Sequence, residues 1–328
     1  MTASHERGKL RRVIVSTVVG GTFEWFDFLV YAYFSSTIAH ECFAGIAHGG
    51  SLLLTFVNFA LGFLVRPIGG VVMGALRRWC RAREGAVLDM VAMSAGSQLP
   101  ALTPGYATLG VFASLLVLAG RLVQGFAVGS QFALSSVTVY EVAPAGRRMF
   151  YGSFNMVAMA VAVMLSSGIS YLLTEHLSHQ ALGSWGWRVP FLLGALVGPV
   201  GFWLRHHVDE SDTFRRMQAR PVARLKAPAR VRAFLRGNGD AVLCAMGVMM
   251  VGTSLNYVWH VYLPTYAQQL LHLSLSSSLH GVCATSIVGC LLSPVFGLLA
   301  DRIGADRLFC WFIAAWALSV FPLFWFLL

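Results

Sequence analysis

The chain has 328 residues, of which 57% are hydrophobic and 12% charged, and its mean hydropathy is +0.68. Soluble globular domains carry about 25% charged residues, so this composition argues against a soluble domain and indicates a polytopic membrane protein. The net charge of +10 would suit a nucleic-acid-binding protein, but the positions of the basic residues favour a membrane topology instead.

Apolar segments that are long enough to cross a bilayer recur along the chain. About 20 helical residues span the hydrocarbon core, which leaves room for nine or ten spans. We therefore predict an all-α polytopic membrane protein. The predicted spans are 13–38, 52–76, 86–102, 108–140, 150–174, 187–204, 240–268, 276–300 and 308–328.

The Lys and Arg residues alternate between the connecting segments. Twenty-one of the 24 lie in segments 1–12, 77–85, 141–149, 205–239 and 301–307, and the alternate connecting segments have none. The other three, Arg66, Arg121 and Arg188, lie within predicted spans. The positive-inside rule makes the basic segments cytoplasmic. We predict a multi-pass protein of the cell (inner) membrane with a cytoplasmic N-terminus.

The longest basic segment divides the chain. Residues 205–239 contain Pro221 and Pro228 and separate six predicted spans from three. We predict an N-terminal six-helix bundle over 1–204, a basic cytoplasmic linker over 205–239 and a partial C-terminal bundle over 240–328.

The ends of spans two and eight, 70–78 and 293–301, share a short pattern six spans apart. This spacing is typical of transporters built from a repeated six-helix unit. Three pairs of glycines at a spacing of four predict close helix crossings. The pairs are Gly70/Gly74, Gly125/Gly129 and Gly194/Gly198.

Two carboxylates, Glu24 and Asp27, lie inside the first predicted span. Their spacing of three places them on one helix face. An acid near the bilayer centre costs about 2.5–3.5 kcal/mol on insertion scales, so two of them indicate a transport path, a proton relay or a buried ion pair. We predict that both acids exchange protons, with Arg66 or Arg121 stabilising the charged form. The alternative is a static ion pair that fixes span one to span two.

Arg121 has a second interpretation, because its planar donor fork suits a substrate carboxylate. Gln124, Gln131 and Asn155 are polar groups that would complete a binding pocket around it. The alternative role for these three residues is interhelical hydrogen bonding.

Charged residues at the predicted cytoplasmic helix ends suggest a gate. Asp301 and Arg302 are the main candidates, with Glu141 and Arg148 as members of the same ionic cluster. The alternative is that these are ordinary charges at helix ends.

Aromatic residues cluster toward the outer end of span seven. An aromatic belt at the membrane surface explains most of this cluster more simply than a substrate cage. The cluster consists of Tyr257, Trp259, His260, Tyr262 and Tyr266.

Eight short motifs occur in order on the predicted spans, and together they resemble the major facilitator superfamily in its metabolite:proton symporter branch. They are GTFEWFDF (21–28), GFLVRPIGG (62–70), RLVQGF (121–126), YEVAP (140–144), YGSF (151–154), GWRVPF (186–191), YLPTY (262–266) and GLLADRIG (297–304). The resemblance implies proton-driven transport of organic acids, amino-acid-like zwitterions or sugar acids, by rocking of one bundle against the other.

The chain departs from the family pattern at two places. Arg78 replaces the acid of the loop after span two, which the resemblance implies to be a cytoplasmic latch. Gln131 stands where the family has an acid two residues after Gly129, so the central cavity has one protonatable group fewer.

We therefore predict a proton-coupled secondary active transporter of a small organic metabolite, with protons, the solute and the bilayer as its partners. Metal-ligand spacings and nucleophile–base signatures are absent from the sequence, so neither an enzyme nor a cofactor is predicted. The ninth predicted span ends at Leu328, whereas the family plan has twelve. The alternative is thus a truncated, non-transporting remnant or a membrane interaction protein derived from such a transporter. The sequence leaves the oligomeric state open.

Overall fold

The computed structural model describes residues 3–44, 48–79, 82–129, 131–196, 199, 227–269 and 271–327. All regular structure within these ranges is helical, which confirms the predicted all-α fold. A 3-10 turn covers Gly186–Arg188, and a π-helical turn covers Val258–Tyr262. The α-helices are α1 (Ala3–Tyr33), α2 (Ser35–Cys42), α3 (His48–Leu64), α4 (Arg66–Trp79), α5 (Ala82–Leu102), α6 (Tyr106–Leu109), α7 (Val111–Val128), α8 (Gln131–Val142), α9 (Arg148–Gly152), α10 (Phe154–His176), α11 (His179–Ser184), α12 (Val189–Gly194), α13 (Ala227–Tyr257), α14 (Leu263–Gln269), α15 (Leu275–Ile303) and α16 (Ala305–Leu327).

Within the described ranges, six helical segments are long and apolar enough to cross a membrane. They are Leu10–Tyr33, Gly50–Met73, Val111–Val142, Arg148–His176, Phe234–Gln268 and Leu275–Ile303. These segments correspond to six of the nine predicted spans. The other three, 86–102, 187–204 and 308–328, overlap helices α5, α12 and α16, and their crossing of the membrane stays a prediction. Residues 197–198 and 200–204 of the sixth predicted span lie outside the described residues.

The predicted linker at 205–239 also lies partly outside the described residues, which resume at Ala227. From there the chain is helical, so residues 227–239 form the first turns of α13. A kink occurs at Asn238 (φ −135°, ψ 26°), which stands between two glycines. Glycine is a poor helix former, which explains the break at this point.

Helix α10 lies between α1 on one side and α15 on the other. Val30 of α1, Val163 of α10 and Leu279 of α15 are each at most 1% exposed and belong to one apolar core. A Cβ added to Gly21 would lie 3.0 Å from the Cβ of Ala158, so a small residue lets α1 approach α10 closely. Through α10, the part of the chain after residue 227 packs against the part before it.

Helix α7 contacts α3 and α4 through glycines on both sides. A Cβ on Gly125 would collide with the carbonyl oxygen of Gly62, and a Cβ on Gly129 would collide with that of Arg66. A Cβ on Gly62 would lie 3.3 Å from the carbonyl oxygen of Arg121. The backbones therefore touch, as in small-residue crossings of membrane helices. Because these contacts involve the backbones of Arg66 and Arg121 themselves, they hold the two arginines on facing helices.

A Gly125→Ala substitution is expected to lower the free energy of unfolding by about 1–3 kcal/mol, because the added methyl forces two backbones apart. Thermal unfolding of the purified protein in detergent measures this loss. Gly252→Ala in α13 is the matched control, since a Cβ there meets nothing within 4 Å and alanine favours a helix. Equal stability of the two variants would contradict the backbone contact.

Candidate functional site

The carboxylate of Asp27 is the centre of a buried polar network. Its Oδ2 atom accepts hydrogen bonds from the Ser97 hydroxyl of α5 and from the Gln124 amide of α7. The Gln124 amide also donates to the Ser97 hydroxyl oxygen, over 2.8 Å. All three side chains are fully buried. Asp27, Ser97 and Gln124, which we call the Asp27 network, therefore join three helices through one carboxylate oxygen.

The second carboxylate oxygen of Asp27 has a different environment. Oδ1 has no hydrogen-bond partner among the described residues. It faces Gly194 at the end of α12, where a Cβ would lie 2.5 Å from Oδ1. Nearby, the Ser94 hydroxyl of α5 donates to the carbonyl oxygen of Ala195 over 2.7 Å and fixes the end of α12. Because a Cβ at position 194 would be too close to Asp27 Oδ1, this position requires a glycine.

Arg121 is the cation that interacts electrostatically with Asp27. Its guanidinium is fully buried and lies over the rings of Tyr31, Phe191 and Phe28, at 4.0, 5.5 and 5.7 Å from their centroids. Within the described part of the chain, none of its three side-chain nitrogens has a hydrogen-bond acceptor. The aromatic faces attract the cation, while its donors remain free for an acceptor.

Glu24 forms a second pair with Arg66. Glu24 is 2% exposed, and Arg66 is the cation with which it interacts electrostatically. The Arg66 guanidinium lies over Phe63, Phe28 and Trp25, at 4.1, 4.3 and 5.4 Å from the ring centroids. Pro67 follows Arg66 and lacks the N–H that would bond back to residue 63, so α3 ends there and Arg66 begins α4.

The structure assigns each acid its own arginine, where the sequence left either arginine open to both acids. Neither pair is a direct salt bridge, which requires nitrogen and oxygen within 4.0 Å. Both guanidinium groups contact the ring of Phe28. The two pairs are therefore neighbours that share one aromatic side chain.

The other predicted pocket residues lie in a separate polar contact. The Ser135 hydroxyl of α8 donates to Thr17 over 3.2 Å and to the Asn155 side-chain oxygen over 3.5 Å. The Asn155 amide donates to the carbonyl oxygen of Gly152. Gln131 is 8% exposed and lies beside Gly20 of α1. Of Gln124, Gln131 and Asn155, the three polar residues predicted to line the pocket, only Gln124 contacts Asp27 among the described residues.

Asp301 joins α15 to the start of α9. Its two carboxylate oxygens accept from the backbone N–H groups of Met149 and Phe150, each over 2.9 Å. One turn earlier, a Cβ on Gly297 would lie 2.9 Å from the carbonyl oxygen of Met149, so the two segments are tightly packed. A carboxylate that binds free N–H groups at a helix start satisfies donors that the helix leaves unpaired.

The other predicted gate residues are arranged differently. The Arg148 guanidinium lies 4.5 Å from the ring centroid of Tyr140 and donates to its hydroxyl over 3.1 Å. Glu141 and Arg302 form no hydrogen bond or salt bridge with each other or with Asp301 among the described residues. The side chain of Arg78, the replaced latch acid, lies outside the described residues.

The sequence missed Ser97, Gly194 and Phe28 as parts of the site. In the sequence, Ser97 is an ordinary small residue of an apolar span, and Gly194 indicates only a close helix crossing. Phe28 stands in the first family motif, which is the one signal that pointed to it. Asp89, a further buried acid on α5, was also missed.

Comparison with known proteins decides the family. The model of the family described as sugar (and other) transporter matches residues 13–224. The chain belongs to this family of the major facilitator superfamily. This confirms the resemblance predicted from the motifs, and the family is one of membrane transporters, not of enzymes.

Similar proteins of this family include transporters with several named substrates. A citrate-proton symporter of Klebsiella pneumoniae is 36% identical over 89% of this chain and 64% of its own length. The alpha-ketoglutarate permease of Escherichia coli is 33% identical over 93% of this chain and 68% of its own length. The glycine betaine/proline/ectoine/pipecolic acid transporter OusA of Dickeya dadantii is 30% identical over 90% of this chain and 60% of its own length.

A solved structure has the same fold. The proton:xylose symporter XylE bound to 6-bromo-6-deoxy-D-glucose superposes with a TM-score of 0.68 at 19% identity, over 91% of this chain and 70% of that one. This chain thus spans between 60% and 70% of the length of these transporters.

Replacing Asp301 by alanine is expected to lower the free energy of unfolding by about 1–2 kcal/mol, since two backbone N–H groups lose their acceptor. Thermal unfolding in detergent measures the effect. Glu175→Ala is the matched control, because Glu175 is an exposed acid at the opposite end of α10 and surface changes of this kind stay within about 0.5 kcal/mol. A loss no larger than that of the control would rule out the helix-capping role.

Proposed function

We propose that this chain acts as a proton-coupled symporter of a small organic metabolite, such as an organic acid or a zwitterion. We place it in the cell (inner) membrane with a cytoplasmic N-terminus, as the distribution of Lys and Arg favours. The observation that carries the proposal is the Asp27 network, in which a fully buried carboxylate binds donors from two other helices and faces a buried arginine.

In this proposal the proton enters at one defined atom of Asp27. Ser97 and Gln124 both donate to Oδ2, so Oδ1 is the oxygen with free acceptor capacity. Protonation there neutralises the carboxylate and removes its attraction for Arg121, while the hydrogen bonds to Oδ2 persist. Burial disfavours the charged acid and a nearby cation favours it, so a movement of α7 relative to α1 alters proton binding.

The substrate group that fits this site is a carboxylate. Citrate, alpha-ketoglutarate, glycine betaine and proline, the compounds named for the relatives, all carry one. Arg121 has three unpaired donor nitrogens, and a guanidinium binds a carboxylate with two parallel hydrogen bonds. We assign substrate binding to Arg121 or Arg66, with Gln124 beside them. We assign Gln131 and Asn155 to the same path, on the cytoplasmic side of Asp27.

The cytoplasmic gate of the proposed transporter is formed around Asp301. This residue links α15 to α9, which are the two parts of the chain that would move apart when the gate opens. Arg302, Glu141 and Arg148 are assigned to the same gate as charges at neighbouring helix ends. Two hydrogen bonds from backbone N–H groups are weak enough to be broken in each transport cycle.

Uptake into proteoliposomes tests the proton role of Asp27. Asp27→Asn keeps the side-chain shape and an acceptor oxygen but cannot exchange a proton. We expect a roughly tenfold or larger loss of uptake driven by an inward proton gradient. Radiolabelled citrate, alpha-ketoglutarate and glycine betaine are the substrates to be measured. Exchange of substrate at equal pH should persist.

Asp306→Asn, at an exposed acid in the first turn of α16, is the control and should transport like the wild type. An Asp27→Asn variant with unchanged, pH-dependent uptake would leave Asp27 as a static structural ion. A wild-type protein that accumulates none of the carboxylate compounds would refute the proposed symport of such solutes.

A further inference from the structure

Tyr257, the last residue of α13, packs into the first half of the chain. Its ring is edge-on to Phe59 and Phe63 of α3, with centroids 6.0 and 5.4 Å apart. The hydroxyl oxygen of Tyr257 is buried. A belt residue at the membrane surface keeps its polar tip near water, as the 58% exposure of Tyr262 allows. The belt interpretation therefore does not describe Tyr257.

Arg66, the first residue of α4, contacts the Phe63 ring as well. Its guanidinium carbon lies 4.1 Å from the centroid of Phe63, so Phe63 contacts both Arg66 and Tyr257. Tyr257 interacts electrostatically with Arg66 and with Glu24. Side chains from α4 and α13 thus meet beside the Phe63 ring, and Glu24 of α1 lies close enough to interact electrostatically with both.

Each of these three side chains has buried polar atoms with no hydrogen-bond partner among the described residues. They are Glu24 Oε1, Arg66 Nε and Nη2, and the Tyr257 hydroxyl. The guanidinium only donates, the ionised carboxylate only accepts and the phenol does both. An unpaired buried polar group is costly, so the trio gains stability from any shift that pairs two of its members.

We propose that Tyr257 is a positioning residue, which serves as the alternative acceptor for Arg66 and thereby ties the protonation of Glu24 to the packing of α13. The inference rests on the proposed symport. While Glu24 is ionised, its charge attracts Arg66. When Glu24 binds a proton, that attraction is lost and an Arg66 N–H donates to the Tyr257 hydroxyl oxygen. Helix α13 is then drawn onto α3 and α4 in the proton-loaded state.

Few charged groups take part in this switch. Arg66 and Tyr257 are the titratable or charged groups that act on Glu24. Asp27, the other acid on α1, interacts with Arg121 instead. Helices α2, α3, α8, α10 and α12 and the π-helical turn that contains His260 also pack on α1. Among their described residues, none, His260 included, acts electrostatically on Glu24.

A double-mutant cycle tests the switch without requiring transport. Tyr257→Phe keeps the ring contacts and removes the hydroxyl, and Glu24→Gln is a neutral substitute for the protonated acid. At about pH 8.5 in detergent, Tyr257→Phe should lower the melting temperature by about 3 °C more in the Glu24→Gln background than in the wild type. When Arg66→Gln is also present, Tyr257→Phe should lower the melting temperature equally with and without Glu24→Gln. Equal losses in the wild-type and Glu24→Gln backgrounds overturn the inference.

The pH profile of uptake gives a second measurement. Without the hydroxyl, the proton-loaded state loses one hydrogen bond to a charged donor. Tyr257→Phe should therefore need a roughly tenfold higher proton concentration for half-maximal uptake. Tyr262→Phe, at the exposed tyrosine of the same segment, should leave the profile unchanged.

The two measurements separate the inference from the proposed symport. A wild-type protein that transports, with a Tyr257→Phe profile like its own, overturns the role of Tyr257 and leaves the symport intact. A non-additive cycle in a protein that shows no uptake supports the link between Arg66 and Tyr257 and refutes the symport.

Discussion

The cost of burying charge in an apolar interior is the constraint on which the rest of this structure depends. Two acids on one helix and Arg121 on a facing helix are buried, and Arg66 has two buried guanidinium nitrogens. Each of these charges would be unfavourable alone. The molecule offsets this cost in three ways. Each acid interacts with one arginine, the arginines lie over aromatic faces, and Asp27 accepts hydrogen bonds from two further helices.

The glycine contacts make this arrangement possible. Arg66 and Arg121 lie on helices whose backbones touch at Gly62, Gly125 and Gly129. Larger residues would separate α7 from α3 and α4 and move each guanidinium away from its acid. Glycines usually regarded as packing residues therefore determine the electrostatics of the site. Replacing one of them would change the distance between each arginine and its acid.

Sequence alone predicted the helical class, the two acids and both arginines, because apolar segments of span length and intramembrane charges are unmistakable patterns. It could not predict the pairing. Residues three apart on a helix point about 60° apart, and which helix lies in each direction depends on tertiary packing. Ser97 was missed for a related reason. A lone serine in an apolar helix usually bonds to its own backbone, and only the approach of α1 gives it a carboxylate to bind.

The sharing of Phe28 by both guanidinium groups has a consequence for charge balance. With both acids ionised, the charges of the two pairs next to this ring sum to zero. A single proton bound to either acid leaves one uncompensated positive charge in a region that tolerates none well. A negatively charged group restores neutrality, so in a transporter built this way the proton and an anionic solute favour each other's binding. Coupling then follows from electroneutrality around one phenylalanine and needs no further contact between proton and solute.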